Sequence, residues 1–387
     1  MPAADPSIGV YVHVPFCGAI CNYCNFNRGL LDEALKVRYV QALVRDVGAS
    51  GDRGAPVDTI FFGGGTPSLL APAEVAAVLD ACRDRFDVAP GAEITLEANP
   101  ESASAERLEG YRAAGVNRLS FGVQSFHDDE LRRLGRLHDA RTAREAVHLA
   151  RAAGFDDISL DLMMWLPGQT VAQWLASVDA LIAVGPEHAS LYLLEIYPNA
   201  PLRDEMARGG WSVAPDDDAA AMYLEAMARL EAAGYAQYEI SNVARPGHRA
   251  RHNLKYWQDG EWLAFGCGAH GTRHGRRWRN VAGTGEYVAR VEAGQDVVAE
   301  ARVLTAAERV EEALFMGLRL SDGLDLPGFQ ARYGVDVWAR HAGELERFRA
   351  AGLLTHEPGR RLALTRQGML LSNEIMMVFI HADGTVK

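Results

Sequence analysis

The chain of 387 residues reads as an α/β protein built on a largely parallel sheet, with a smaller α+β module at its C-terminal end. Short apolar runs alternate with helical patterns through the first two-thirds of the sequence. The runs are apolar at nearly every position, as expected of strands in a parallel sheet covered by helices. Ala-Gly pairs recur where helices would end, at Ala114-Gly115, Ala153-Gly154 and Ala233-Gly234, and suit left-handed caps leading into the next strand.

In chain order, strands are expected at Val10–Val14, Val57–Phe62, Ile94–Ala98, Arg118–Val123, Ile158–Met164 and His188–Leu194. Helices are expected between them at Glu33–Val47, Pro72–Arg85, Ala105–Ala114, Ala140–Ala153 and Val171–Val184. Six strands with right-handed crossovers form an α/β barrel or an open doubly wound sheet. From Leu304 the pattern changes to helices at Thr305–Leu318, Leu326–Tyr333 and Val337–Ala351. A hairpin follows, Leu353–Thr355 with Leu362–Thr365, and a last helix begins near Gln367. That order is winged-helix-like. Its second helix, carrying Glu344 and Glu346, is not basic, so a packing or partner surface is a better reading than a DNA reader. The expected division is a barrel over 1–240, a connecting segment over 241–299 and the C-terminal module over 300–387.

A net charge of −12 makes a poor general nucleic-acid binder, and no stretch approaches the ~20 apolar residues of a membrane span. Met1–Pro6 lacks the basic and apolar regions of an export signal, and five cysteines, three of them clustered, fit a reducing compartment, so a cytoplasmic location is expected. Arg245, His248, Arg249, Arg251, His252 and Lys255, then Arg273, His274, Arg276, Arg277 and Arg279, form a basic stretch. It reads as a solvated loop or as a patch for an anionic ligand such as propionates or phosphates.

The most informative feature is Cys17-x3-Cys21-x2-Cys24, directly after the first strand. Three thiolates on one tight loop can hold three irons of a four-iron cube and leave the fourth open to a chelating small molecule. Structural zinc wants four ligands in paired knuckles, and no second knuckle follows. Polar residues also collect where strands end: Gly63-Gly64-Gly65-Thr66-Pro67, Glu97-Ala98-Asn99-Pro100, Gln124-Ser125, Asp161 and Glu195. Sites in such folds gather at those ends, so the series points to one shared pocket. The glycines let backbone approach a ligand, and the run lacks the Lys-Ser/Thr ending of a phosphate loop. Each residue alone has a plainer reading: Glu97 as a strand-end cap, Tyr11 as a core tyrosine sharing a face with His13, and Gln124, Arg136 and Asp161 as surface polar groups.

Taken together, the motifs resemble the radical S-adenosylmethionine superfamily, and within it the oxygen-independent coproporphyrinogen III oxidase-like branch. The likeness rests on Tyr11, His13, Pro15, Phe16 and Tyr23 around the cysteines, the Gly63–Pro67 run and Glu97–Pro100. It extends to Gly122–Phe126, Asp161–Met163 and Leu166–Gly168, and covers essentially the whole chain. It implies a (β/α)6 partial TIM barrel with a C-terminal winged-helix-like α+β domain. It also implies a [4Fe-4S] cluster on Cys17, Cys21 and Cys24, with S-adenosylmethionine on the open iron. Tyr11, Tyr23, Gly64 and Glu97 would line a first such molecule. Gly65, Thr66, Gln124, Arg136 and Asp161 match positions that hold a second one in the oxidase. The chemistry implied is one-electron cleavage of the sulfonium to methionine and a 5′-deoxyadenosyl radical.

Two departures from the oxidase stand out. Its fourth cysteine, two residues after the third, is Phe26 here, and only sixteen residues precede Cys17 where the oxidase has a long extension. The segment His252-Asn253-Leu254-Lys255-Tyr256-Trp257 matches an HNxxYW motif typical of the branch's heme chaperones. The chain therefore resembles that family, which implies binding of heme and its transfer to an acceptor, such as a membrane-bound respiratory enzyme, with a homodimer possible and no catalytic residue assigned. The alternative is the oxidative decarboxylase, or another radical enzyme acting on a tetrapyrrole. A neutral imidazole suits heme iron, Tyr256 and Trp257 offer flat faces, and nearby arginines can pair propionates. The axial ligand stays open among His248, His252, Cys267 and His270; apart from the resemblance, His252 reads as a structural histidine.

Overall fold

The computed structural model describes residues 7–380 apart from Asn199, Trp211 and Ala214. The reading of Met1–Pro6 lies outside the described residues. Six strands, β1 (Ile8–Val14), β2 (Pro56–Gly64), β3 (Asp87–Ala98), β4 (Arg118–Gln124), β5 (Ile158–Met164) and β6 (His188–Leu193), lie side by side in sequence order, every neighbour parallel. The crossovers are α1 (Glu33–Ala49), α2 (Pro72–Arg85), α3 (Ala105–Ala114), α4 (Ala140–Ala152) and α5 (Val171–Val184), and α6 (Asp216–Ala232) packs beside α5. Of the two arrangements open to the alternating pattern, the chain adopts the partial barrel. Local chemistry sets the boundaries. Asp32, Ser104, Asp139 and Thr170 each accept a backbone N–H at a helix start, and Gly115, Gly154 and Gly234 each take positive φ at an Ala-Gly helix end.

The strands are two-faced. Val10, Val12, Ile60, Phe62, Leu96, Phe121, Leu160 and Leu162 are fully buried on the face the helices cover. The alternate positions face the barrel interior: Tyr11 and His13, Thr59 and Phe61, Glu93 and Glu97, Ser120 and Gly122, Ser159 and Asp161. The interior is therefore polar, and each of its groups needs a partner.

Later chain elements enlarge the sheet on both sides. Trp262–Phe265 pairs parallel with β1, and His270–Arg273, Arg276–Asn280 and Val298–Val303 continue antiparallel from it. On the other edge Asn242–Ala244 pairs antiparallel with β6. The tail forms helices Ala306–Gly317, Leu326–Tyr333 and Val337–Ala350 and the hairpin Leu354–Glu357 with Arg361–Leu364. That is the expected winged-helix-like order. No helix among the described residues is long and apolar enough to cross a membrane.

One short helix, α7 (Arg251–Trp257), closes the barrel at the N-terminal ends of the strands. Its first turn is capped from inside. Glu93 on β3 accepts the backbone N–H groups of Arg251 at 2.8 Å and His252 at 3.0 Å. His252 then reaches inward to Thr59 Oγ1 at 2.8 Å and stacks on Phe61. Gly9 makes room for it, since a Cβ there would stand 2.9 Å from the imidazole Cε1. Replacing Glu93 by alanine strands two buried donors. The Glu93→Ala protein is expected to lose about 1–3 kcal/mol, read as a lower urea midpoint at unchanged m.

Candidate functional site

The opposite, C-terminal end of the barrel holds a cavity of about 410 Å³. All three clustered cysteines line it, together with Gly64, Gly65, Thr66, Glu97, Asn99, Gln124 and Asp161. The cysteine loop leaves β1 and is pinned at several points. Gly29 N–H bonds to Pro15 O at 2.7 Å, Leu31 N–H to Cys17 O at 3.0 Å, and Cys24 N–H to Cys21 O at 3.2 Å. Asn27 donates to the carbonyls of Cys267 and Ala282, both at 3.0 Å, while its own carbonyl lies 2.7 Å from His13 Nε2. The glycine run interlocks with this loop. Gly65 N–H reaches Val14 O and Thr66 N–H reaches Phe16 O, both at 2.8 Å. A Cβ on Gly65 would lie 2.7 Å from Phe16 O and 3.0 Å from Cys17 Sγ, and one on Gly64, at φ +119°, 2.5 Å from the His13 ring.

Backbone irregularity aims Gln124. The register between β4 and β5 shifts between Gly122 and Gln124, and Gln124 takes φ +69°. That bulge turns its side chain to the cavity, where the buried Oε1 has no partner. Arg136 reaches across the wall to Asn99 Oδ1 and Gly122 O, both at 2.7 Å, and to Cys21 Sγ at 3.3 Å. Burial acts against its charge, but Tyr23, Cys21 and Glu101 outweigh that and hold the guanidinium protonated. Burial pushes the Cys17 thiol up; the Thr66 hydroxyl opposes this and the other two sulfurs add to it.

The carboxyl groups carry the opposite character. Burial first, then the Asp161 charge, lifts Glu97 to about 8, against the 3.1 Å hydrogen bond from Gly64 N–H. Burial lifts Asp161 to about 6, moderated by the Ser190 and Ser120 hydroxyls. Near neutral pH the cavity thus presents cationic Arg136, a carboxyl in Glu97 that can donate, and an open amide oxygen in Gln124.

Eight of the nine residues singled out for S-adenosylmethionine stand around this one cavity: Tyr23, Gly64, Gly65, Thr66, Glu97, Gln124, Arg136 and Asp161. Tyr11 does not reach it. Its hydroxyl meets His13 Nδ1 at 3.0 Å and its ring stacks on Phe61 one layer below. Among the described residues no group of three or more His, Cys, Asp or Glu side chains is arranged to hold a single metal ion. Sequence reasoning missed Arg28 and Tyr192 as lining groups. Period-two alternation through Ser190 and Tyr192 could have found the last; nothing in the sequence announces Arg28.

The HNxxYW residues sit at the far end, on α7. His252 is fully buried, with Nδ1 at Thr59 and Nε2 2.9 Å from the Tyr256 hydroxyl. Burial, aided by the Lys255 charge, pulls it down to about 3, so the imidazole is neutral and both nitrogens are occupied. Tyr256 packs edge-on against Trp262 at 4.5 Å, Arg319 lies 4.3 Å over Trp257, and Asn253 is half-buried. Among the other axial-ligand candidates, Cys267 is fully buried, His270 is exposed and His248 lies half-buried 3.5 Å from Asp157.

Fold and cysteine loop together define a radical S-adenosylmethionine barrel. Residues 11–181 match the Radical SAM superfamily and residues 304–371 the HemN C-terminal domain. The chain belongs to the family of the heme chaperone HemW. It is 36% identical to the heme chaperone HemW of Bacillus subtilis over 373 residues, covering 96% of this chain and 98% of that one. It is 40% identical to that of Mycobacterium tuberculosis over 389 residues, covering 98% and 96%. For the Escherichia coli protein the figures are 39% over 341 residues, 81% and 87%. The solved coproporphyrinogen III oxidase (HemN) of Escherichia coli shares the fold, with a TM-score of 0.85 at 23% identity over 97% of this chain and 90% of that one.

The raised Glu97 value has a measurable sign. An unfolded glutamate releases its proton near 4.5 and the folded one near 8. Stabilisation from the retained proton is complete below 4.5 and is lost as pH rises through 8. The ligand-free Glu97→Gln protein is therefore expected to keep its Tm between pH 5 and pH 9 better than the parent, by several degrees in a thermal scan.

Proposed function

We propose that this protein binds heme and passes it to an acceptor protein, and that Cys17, Cys21 and Cys24 hold a [4Fe-4S] cluster with S-adenosylmethionine at its open iron. The observation that carries the cofactor reading is the convergence of three thiols, the glycine run, Glu97, Gln124 and Arg136 on one cavity. The donor set suits the group: soft sulfur ligands on a loop, and glycines where backbone must come close. When bound, the pair supplies one-electron reductive chemistry on the sulfonium. The chain's own residues do the positioning. Gly64 and Gly65 keep the wall clear, protonated Glu97 offers a donor, and Gln124 Oε1 accepts. Arg136 donates to Cys21 Sγ at 3.3 Å and so ties the cysteine loop to the cavity wall.

The heme reading is supported by membership of the heme chaperone family, of which the HNxxYW segment is a mark. For His252 to ligate iron, α7 would have to leave the barrel floor, because both ring nitrogens are engaged there. We further propose a cytoplasmic location, a membrane-bound respiratory protein as acceptor, no role in nucleic-acid binding, and the three-part division at residues 240 and 299.

Two experiments test this. Anaerobic purification is expected to give a brown protein with four irons and four sulfides, and Cys21→Ala is expected to lose both while Cys82→Ala, at a buried position of α2 outside the cavity lining, keeps them. Near-parental iron in Cys21→Ala overturns the ligand set. Titration with heme is expected to give stoichiometric Soret absorption without turnover. Production of protoporphyrinogen from coproporphyrinogen III overturns the chaperone reading in favour of the decarboxylase.

A further inference from the structure

Exposed large apolar side chains are unevenly distributed over this protein. Among the described residues eleven stand out from the surface, and four of them line the same cavity: Ile20 and Phe26 from the cysteine loop, Tyr192 and Leu193 from the end of β6. A fifth, Leu137, stands against that loop, its Cδ1 3.9 Å from where a Cβ on Gly18 would lie. Phe26 is 64% exposed and Leu137 61%. An exposed apolar cluster rimming a cavity marks a binding surface rather than incidental exposure.

We propose that this collar, at the cysteine end of the barrel, is where the protein holds heme, so that the macrocycle lies over the cavity mouth and not on α7. The proposal deepens the heme reading above and depends on it. Chemistry on the page favours a flat anionic macrocycle over other occupants. Phe26 and Tyr192 offer aromatic faces, the lips are aliphatic, and a hollow lies behind them. Arg28, on the same wall, donates to Cys24 O, keeps a buried Nε without a partner, and meets no carboxylate among the described residues, which suits a propionate. At the floor of the barrel the corresponding groups are already engaged: His252 and Tyr256 with each other, Tyr256 against Trp262, and Arg319 over Trp257. Held by faces and one cation rather than by a strong axial ligand, heme would remain easy to hand over.

The test uses the full-length, cluster-loaded protein under anaerobic conditions. Heme is titrated into the parent, Leu193→Asp, Leu137→Asp and His252→Ala, with Val303→Asp as an exposed apolar control remote from the cavity lining. Iron content and Tm are measured on each. The proposal expects both collar variants to raise the Kd for heme about tenfold or more at unchanged iron content and Tm. Val303→Asp is expected to match the parent, and His252→Ala to lower Tm without a comparable change in Kd. Collar variants with parental affinity overturn the proposal while leaving heme binding intact. A parent that shows no Soret change overturns the heme reading with it. Collar variants that bind heme normally but lose flotation with phosphatidylglycerol–phosphatidylethanolamine vesicles assign the collar to lipid and also overturn the proposal.

Discussion

Everything at the cysteine end depends on two backbone segments meeting without side chains between them. Gly65 and Thr66 donate to the carbonyls of Val14 and Phe16, and that contact sets where Cys17 begins its loop. Any Cβ on Gly64 or Gly65 would collide with the His13 ring or with the Phe16 carbonyl and the Cys17 sulfur. The glycine run is thus a spacing device first. Its positive φ at Gly64 also leaves the N–H free to face Glu97, which ties the second strand end to the third. A substitution here would move the sulfurs before it altered any direct ligand contact.

The barrel wall separates two kinds of chemistry by alternation alone. Its outer face is apolar and merges with the helices into one continuous core. Its inner face carries Glu, Asp, Ser, Thr, His and Tyr at matching depths, and these are closed off differently at each end. At the floor α7 brings donors to Glu93 and a ring to Thr59, so these groups satisfy one another internally. At the mouth Gln124 Oε1 and Arg28 Nε remain without partners, and the carboxyl of Glu97 is held near neutrality. Unmet polar capacity is what a structure prepares for ligands, and at the mouth it faces a cavity.

Much of this was legible in the sequence because the signals were local. Pro72–Arg85, Ala105–Ala114, Val171–Val184 and Ile158–Met164 stand where periodicity and caps put them. The strand-end residues converge because a parallel sheet leaves them no other place to go. Other features depend on contacts distant in sequence and leave no local mark. Tyr11 lies a layer below the cavity because strand pairing registers it against Phe61, 50 residues later. His252 turns inward because Glu93, 159 residues earlier, captures the helix start. The strand Trp262–Phe265 is an apolar run of only four residues, and His270–Arg273 and Arg276–Asn280 are polar with four arginines between them, so nothing local marks them as sheet; they form because β1 still has an open edge.

That open edge bears on how the molecule is made. β1 is synthesised first yet lies between β2 and a strand that emerges only at Trp262–Phe265. The cysteine loop waits longer still, because Asn27 anchors on carbonyls 240 and 255 residues downstream. The loop that carries the three thiols therefore reaches its final anchorage only after the late strands have joined the open edge of β1, so its last contacts are set by the end of folding rather than by its place near the start of the chain.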